Sequence, residues 1–402
     1  MIELEDAVAR ILSALPVPQA EIISLQDAHR RILVEPVSSP ASLPGFDNSA
    51  MDGYALRARD VAAAGADTPI ALRLLGRVAA GEVFPEQVAP GTCVRLFTGS
   101  PIPKGADSVV MQEDTRIVQH NPSEILVTEP VHPGENIRTA GEDVAAGAIL
   151  ASSGQMLNAG RLSLLAAAGV AQVTVGRRPS VGLISTGSEL KEPGQSLEPG
   201  QIYESNRTGL AALIRQAGAT PTIFPLVMDK LSATQDALAK AFDQCDLVVT
   251  TGGASVGELD LVRSAFENLG GKIEFWKVAI KPGRPFVFGQ IAGRLFFGLP
   301  GNPVSALVSF LLLVRPALLR WQGAEELEMP GGLGILTEAL SNPGPRRHFV
   351  RVIADSKGAV SLAGTQASHM LSSLAAANGL VDLSPQTTIP AGSSVLVRKW
   401  DT

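Results

Sequence analysis

The stretch DLVVTTGGASVGELDLVRSAFENLG, residues 246–270, decides the fold. A continuous apolar, β-branched run gives way to a loop carrying three glycines, a serine and two carboxylates, and then to LVRSAFENLG, whose apolar residues recur at helical spacing. A run apolar on every residue belongs to a strand buried on both faces. A helix directly after it implies a right-handed crossover within a parallel sheet. The loop TTGGASVGELD (250–260) holds more glycine and polar residues than a bare connection requires, which makes it the first candidate site.

Outward from this stretch the same alternation repeats. SVGLIST, ATPTIFPLV, GKIEFWKVAI and RLFFGLP read as strands; SNRTGLAALIRQAG, SATQDALAKAF and NPVSALVSFLLLV read as helices. Ser232 and Gln235 have capping-box spacing, and Pro303 stands at the first turn of its helix. The expected architecture is α/β and multidomain, with a mostly parallel α/β domain over 178–325. Residues 46–138, with short β-prone runs between glycines and prolines, form an inserted β-rich domain. Residues 1–45 and 139–177 form a helical linker domain, and 326–402 a small C-terminal β domain. The first helix, with Leu4, Val8, Ile11, Leu12 and Leu15 on one face, is expected to meet the later helix LNAGRLSLLAAAG, for which Asn158 is the N-cap and Gly169 the C′ residue.

Length and composition agree with several globular domains. The chain has 402 residues, 45% of them apolar and 18% charged. A net charge of −6 and the lack of a basic arm argue against nucleic acid as a partner. Cys93 and Cys245 have no partner at metal-like spacing and read as buried thiols. The acidic N-terminus is no signal peptide, and SALVSFLLLVRPALL is expected to break at Arg315 and Pro316 before it could span a bilayer. The expected location is cytoplasmic, with no membrane partner.

Ligands of open α/β sheets bind beyond the carboxyl ends of the strands. Four loops there are unusual: TGSEL, TGGASVGELD, KPGRP and LPGNPVSA. Glycines such as Gly252, Gly253 and Gly257 admit close approach of a ligand, and successive N–H groups in such a loop, together with the helix start at LPGNPVSA, suit phosphate or another oxyanion. The same glycines could equally make turns alone. Glu189, Asp229 and Asp260 fall near strand ends and could converge on a hard cation such as Mg2+; singly, each reads as a solvated acid. Lys277, Lys281 and Arg284 supply the opposite charge. In PGFDNSAMDGYAL the polar side chains of Asp47, Asn48, Ser49 and Asp52 read on composition as a self-capping turn, and Thr98 presents a hydroxyl at a strand end. From the residues alone the reading stops at an α/β enzyme that binds a phosphorylated small molecule.

PGFDNSAMDGYAL, TGGASVGELD, KPGRP, GLPGNPVSA and ASHMLSSLAAANGL, in that order, resemble the MoeA family of molybdopterin molybdenumtransferases, which also includes the C-terminal domain of gephyrin. The resemblance covers essentially the whole chain. It implies a molybdopterin-binding α/β domain, a homodimer with the cleft between that domain and the β domains of the other subunit, and insertion of molybdate into adenylylated molybdopterin with Mg2+-dependent release of AMP. By the same resemblance, the catalytic residues would be Asp52, Thr98, Glu189, Asp229, Asp260, Lys277, Lys281 and Arg351. Substrate would be bound by Asp143, Gly252, Gly253, Ser255, Gly257, Arg284, Pro300, Asn302, Pro303 and Ser372, and metal by Glu189, Asp229 and Asp260. Molybdopterin adenylyltransferase and molybdoenzyme maturation proteins are the implied partners. Arg284, His348 and Ser188 depart from the residues frequent in the family, which touches details of oxyanion binding. A non-catalytic scaffold of the same fold and a molybdopterin adenylyltransferase are the competing functions.

Overall fold

In the computed structural model, which describes residues 1–118, 120–252 and 261–400, four strands run parallel side by side: Thr220–Ile223, Ser180–Ser185, Leu247–Thr251 and Arg294–Leu299. Their sequences explain the layers. Leu247 and Val249 join a hydrophobic cluster on one face of the sheet, with Leu183 and Phe297; Val248 joins another on the opposite face, with Ile184 and Phe296. Successive strand residues point to opposite faces, so a run apolar at every position is covered on both.

The far edge of the sheet departs from the sequence reading. GKIEFWKVAI is not one strand: Lys272–Trp276 ends where Lys277 adopts a left-handed φ of +71°, and Ile280–Lys281 pairs instead with Arg347–His348 in the C-terminal sheet. An unanticipated strand, Val287–Ile291, lies antiparallel between Lys272–Trp276 and Arg294–Leu299. It forms a hairpin with Arg294–Leu299 through Ala292 and Gly293, both at positive φ, as a two-residue turn with the sheet's twist requires.

The helix Pro303–Trp321 runs on through Arg315 and Pro316, contrary to the expected break. A π-turn over Phe310–Val314 shifts the hydrogen-bond register ahead of Pro316, which has no N–H to offer. By length and composition this helix could cross a membrane, but 78% of its apolar window is buried in the fold, as befits a core helix.

Nor does the first helix, Leu4–Ser13, meet Ala159–Ala167. Leu4, Ala7 and Ile11 pack into the α/β core with Leu213, Phe310, Leu318 and Trp321, whereas Leu165 sits in a separate cluster with Leu25, Leu33 and Val175. The outgoing and returning chain segments are joined by three antiparallel pairings: Ala20–Ser24 with Gln172–Gly176, Val37–Ser38 with Ile149–Ala151, and Asn48–Ser49 with Ile137–Arg138. Beyond this ribbon lies a six-stranded sheet that includes Gly53–Leu56, Ile70–Val78 and Thr92–Leu96. Its two hydrophobic clusters contain no residue of the α/β sheet. Like the α/β sheet, the sheet of the C-terminal unit has six strands, including Gly331–Leu336, Arg347–Ala354 and Ser394–Arg398.

Local signals behaved unequally. Asn158 caps its helix by accepting from the Arg161 N–H at 2.9 Å, and Gly169 follows the helix at φ +85°. Ser232 is no cap: that helix begins one residue earlier, at Leu231, after Lys230. Both cysteines are free and buried; burial pushes the Cys93 thiol up to about 12, and Cys245 closes a helix instead of lying in a strand.

Candidate functional site

Three loops converge where the parallel strands end. Gly252 has φ +89°, and a Cβ built there would stand 2.3 Å from the Thr186 carbonyl oxygen; a Cβ at Gly301 would meet the Gly252 Cα at 3.5 Å. At 252 only glycine allows the backbones to approach so closely. Asn206, opening the helix Asn206–Gln216, ties the floor together: its Nδ2 donates to Thr251 Oγ1 and to the Gly301 carbonyl, each at 2.8 Å, and Thr251 Oγ1 donates to the Pro300 carbonyl at 3.0 Å. Asn206 Oδ1, Thr186 Oγ1 and Thr250 Oγ1 are buried without a hydrogen-bond partner among the described residues. Each such atom costs about 1–3 kcal/mol unless something satisfies it, so the strand ends suit a polar ligand.

The helix start at LPGNPVSA offers less than its sequence promised. Pro303 stands in the first turn and has no N–H, the Val304 N–H donates to the Ser368 carbonyl at 3.2 Å, and Asn302 makes no side-chain cap. Asn302 Nδ2 reaches Ser368 Oγ at 3.2 Å, which brings the C-terminal unit against this edge of the α/β sheet.

The carboxylates Glu189 and Asp229 lie exposed on neighbouring loops: Asp229 Oδ2 accepts from the Ser188 N–H at 2.9 Å, and the Asp229 N–H donates back to Ser188 Oγ at 3.0 Å. A buried network below holds this region: Arg207 bonds Glu204, Glu192 and the Phe224 carbonyl. No group of three or more metal-ligating side chains occurs among the described residues. Asp260, Gly253, Ser255 and Gly257 lie outside the described residues.

The cations gather on the other side. Lys277 follows the strand Lys272–Trp276, with its Nζ 3.9 Å from the centroid of the Trp276 ring. Lys281, Arg284 and Arg346 cluster where KPGRP meets the C-terminal sheet, and none of them makes an ion pair among the described residues. His348, beside Lys281, is buried with neither ring nitrogen bonded among the described residues; burial first, then the charges of Lys281, Arg351 and Arg346, lower its pKa to about 4. It is therefore neutral near pH 7 and adds no charge to the cluster. Arg351 is fully buried, with Nε on Ser373 Oγ at 3.1 Å and Nη2 on the Thr365 carbonyl at 2.8 Å, so it holds the segment 365–373. Ser372, its neighbour in the motif, is exposed.

Asp52 and Thr98 stand apart from these groups, on the inserted sheet. Asp52 Oδ1 accepts from both the N–H and the hydroxyl of Thr98, each at 2.8 Å. These bonds hold the Asp52 carboxyl below its ordinary range, the backbone donor contributing most, with a smaller pull from Arg95. Asp47, which the sequence placed in a self-capping turn, instead accepts from the Ala140 N–H at 2.7 Å, while Asn48 does cap locally, on the Phe46 carbonyl. Asp143 is exposed where the ribbon turns, its N–H bonded to the Leu43 carbonyl at 3.0 Å. Neither is tied to the strand-end loops. Residues that the sequence did not single out, Asn206, Thr186 and Arg346, belong to the site; the polar residue opening a helix after TGSEL was the only signal for the first.

Three family models match in order: the MoeA N-terminal region (domain I and II) over residues 2–169, a probable molybdopterin binding domain over 182–320, and the MoeA C-terminal region (domain IV) over 334–400. Molybdopterin molybdenumtransferase of Haemophilus influenzae is 37% identical over 100% of this chain and 99% of its own length. Molybdopterin molybdenumtransferase 2 of Mycobacterium tuberculosis is 40% identical over 94% of each. Among solved structures, the molybdopterin biosynthesis moeA protein from Pyrococcus horikoshii OT3 superposes with a TM-score of 0.85 at 31% identity, covering 99% of this chain and 100% of that one.

Proposed function

The chain belongs to the MoeA family of molybdenum cofactor biosynthesis enzymes, and from that premise we propose that it inserts molybdate into adenylylated molybdopterin with Mg2+-dependent release of AMP. The observation that carries this reading is the convergence of Thr186, Gly252 and Gly301 at the strand ends, with buried polar atoms left unpaired around it. A flat, polar heterocycle would approach the glycine backbone closely and satisfy Asn206 Oδ1 and the Thr186 hydroxyl.

The charges divide the site by task. Lys277, Lys281 and Arg284 would attract molybdate and the phosphate end of the substrate, because the described residues leave them without ion pairs. Glu189 and Asp229, hard oxygen donors on adjacent loops, fit Mg2+, which needs only one or two protein carboxylates when substrate phosphates and water complete its shell. When bound, the ion would neutralise charge developing on the phosphoanhydride. Arg351 would act on the anion site by positioning the segment that carries Ser372.

Asp52 and Thr98 would serve from a second copy. The inserted sheet packs its own clusters, and its link to the rest of the chain runs through the ribbon, so its carboxylate is free to face another subunit's strand ends. A homodimer is the assembly this reading requires. Molybdopterin adenylyltransferase, as supplier of the adenylylated substrate, is the partner it implies.

The test is AMP release from adenylylated molybdopterin by the purified protein, with molybdate and Mg2+ omitted in turn. Release that needs both, with molybdenum retained on the pterin, supports the reading. Tight pterin binding without release would favour a scaffold, and turnover from molybdopterin and ATP alone an adenylyltransferase.

A further inference from the structure

Trp276 sits at the end of its strand with 37% of its surface exposed, on the face opposite the buried Phe275. Two cations are held against it. The Lys277 ammonium lies 3.9 Å from the ring centroid and the Arg263 guanidinium carbon 4.8 Å from it. A lysine stacked on the side chain of the residue just before it needs an unusual backbone, and the φ of +71° at Lys277 supplies one. That conformation is strained for a residue with a Cβ. It is fixed from both sides by backbone bonds, since the Lys277 N–H donates to the Phe286 carbonyl at 2.9 Å and its carbonyl accepts from the Ile2 N–H at 3.1 Å.

We propose that Trp276 is a positioning residue whose ring face holds the Lys277 ammonium in place for an incoming oxyanion. The inference rests on the reading of Lys277 as an oxyanion ligand. A lysine on a flexible four-carbon stem loses much rotamer freedom when it binds an anion. Contact with the ring removes part of that freedom beforehand and leaves the N–H bonds that point away from the ring open to an anion. Lys277 makes no ion pair among the described residues, so the ring is its counterpart in the unliganded protein. Anion binding would draw the charge partly off the ring, and the indole would report it.

The experiment is titration of the intact protein with molybdate, read by calorimetry and by tryptophan emission, beside Trp276→Phe, Trp276→Leu and Lys277→Met. Loss of the pre-ordering that the ring gives the lysine stem predicts a dissociation constant raised about two- to fivefold in Trp276→Leu and by less than about twofold in Trp276→Phe, which keeps an aromatic face. In turnover the KM for molybdate would rise by a similar factor, with kcat nearly unchanged. The emission change seen in the intact protein would be missing from Lys277→Met and from both Trp276 variants, although Trp321 and Trp400 remain. Equal affinity in Trp276→Leu and the intact protein, or an emission change that survives in Trp276→Leu, would overturn the proposal while leaving Lys277 as a ligand. Undiminished molybdate binding by Lys277→Met would remove the lysine reading itself, and the proposal with it.

Discussion

The close approach of the strand-end loops can be tested by comparing two glycines. Gly252→Ala places a Cβ at a backbone with φ +89° and 2.3 Å from the Thr186 carbonyl oxygen. The left-handed conformation costs alanine about 1–2 kcal/mol, and relief of the clash by backbone movement about 1–3 kcal/mol more. A loss of roughly 2–5 kcal/mol in a domain of this size lowers the melting temperature by roughly 5–15 °C. Gly301→Ala is the contrast. Gly301 is not at positive φ, and its Cβ would make an ordinary 3.5 Å contact with Gly252. Stability should change by less than about 1 kcal/mol, yet the methyl enters the space assigned to the pterin and should weaken pterin binding by about tenfold or more, since sub-ångström displacement is costly in a preorganised site. Calorimetric melting of both variants, with pterin titration of Gly301→Ala, reads both effects. A Gly252→Ala protein that melts within about 2 °C of the parent, or a Gly301→Ala protein that binds pterin at full strength, would refute the geometry or its use.

Thr98→Val removes the hydroxyl donor to Asp52 while keeping the stronger backbone donor, so the Asp52 pKa should rise and the acid limb of the kcat/KM profile should move to higher pH. His348 has a folded pKa of about 4 against an ordinary value near 6.5, so the folded state binds fewer protons than the unfolded one. Stability is therefore full above about pH 6.5 and falls as the pH drops toward 4, by on the order of 3 kcal/mol; His348→Gln should flatten that slope in denaturant melts run across the range. Arg207→Met would strand the buried Glu204 carboxylate and should cost about 3–5 kcal/mol, read as a lower denaturation midpoint.

Much of this arrangement was legible in residue order, for identifiable reasons. Runs such as Leu247–Val249 declare burial on both faces, and the loops after them declare the sheet's binding edge. The hairpin over 287–299 was hidden because Pro282 and Pro285 suggested connection, although the Ala292-Gly293 pair between apolar runs was its signal. The destination of the first helix could not be read, since an apolar stripe states that a face is buried and is silent on what covers it. The burial of Arg351 was equally hidden. Its guanidinium finds carbonyls on a segment about 15 residues away, a match that only the folded chain reveals. The left-handed turn at Lys277, which sends one strand's continuation into a different sheet, has no glycine or asparagine to announce it.

The ribbon beneath the inserted sheet also brings the two ends of the insertion together. Ser49 faces Ile137 and Asn48 faces Arg138, so the points where the polypeptide leaves and re-enters are only one strand spacing apart, about 5 Å. A two-residue hairpin turn could close that gap, and none of the α/β or C-terminal cores would lose a side chain. The insertion is thus, in topology, a removable cassette: a self-packed module joined to the framework at one position, which a single surface turn could replace.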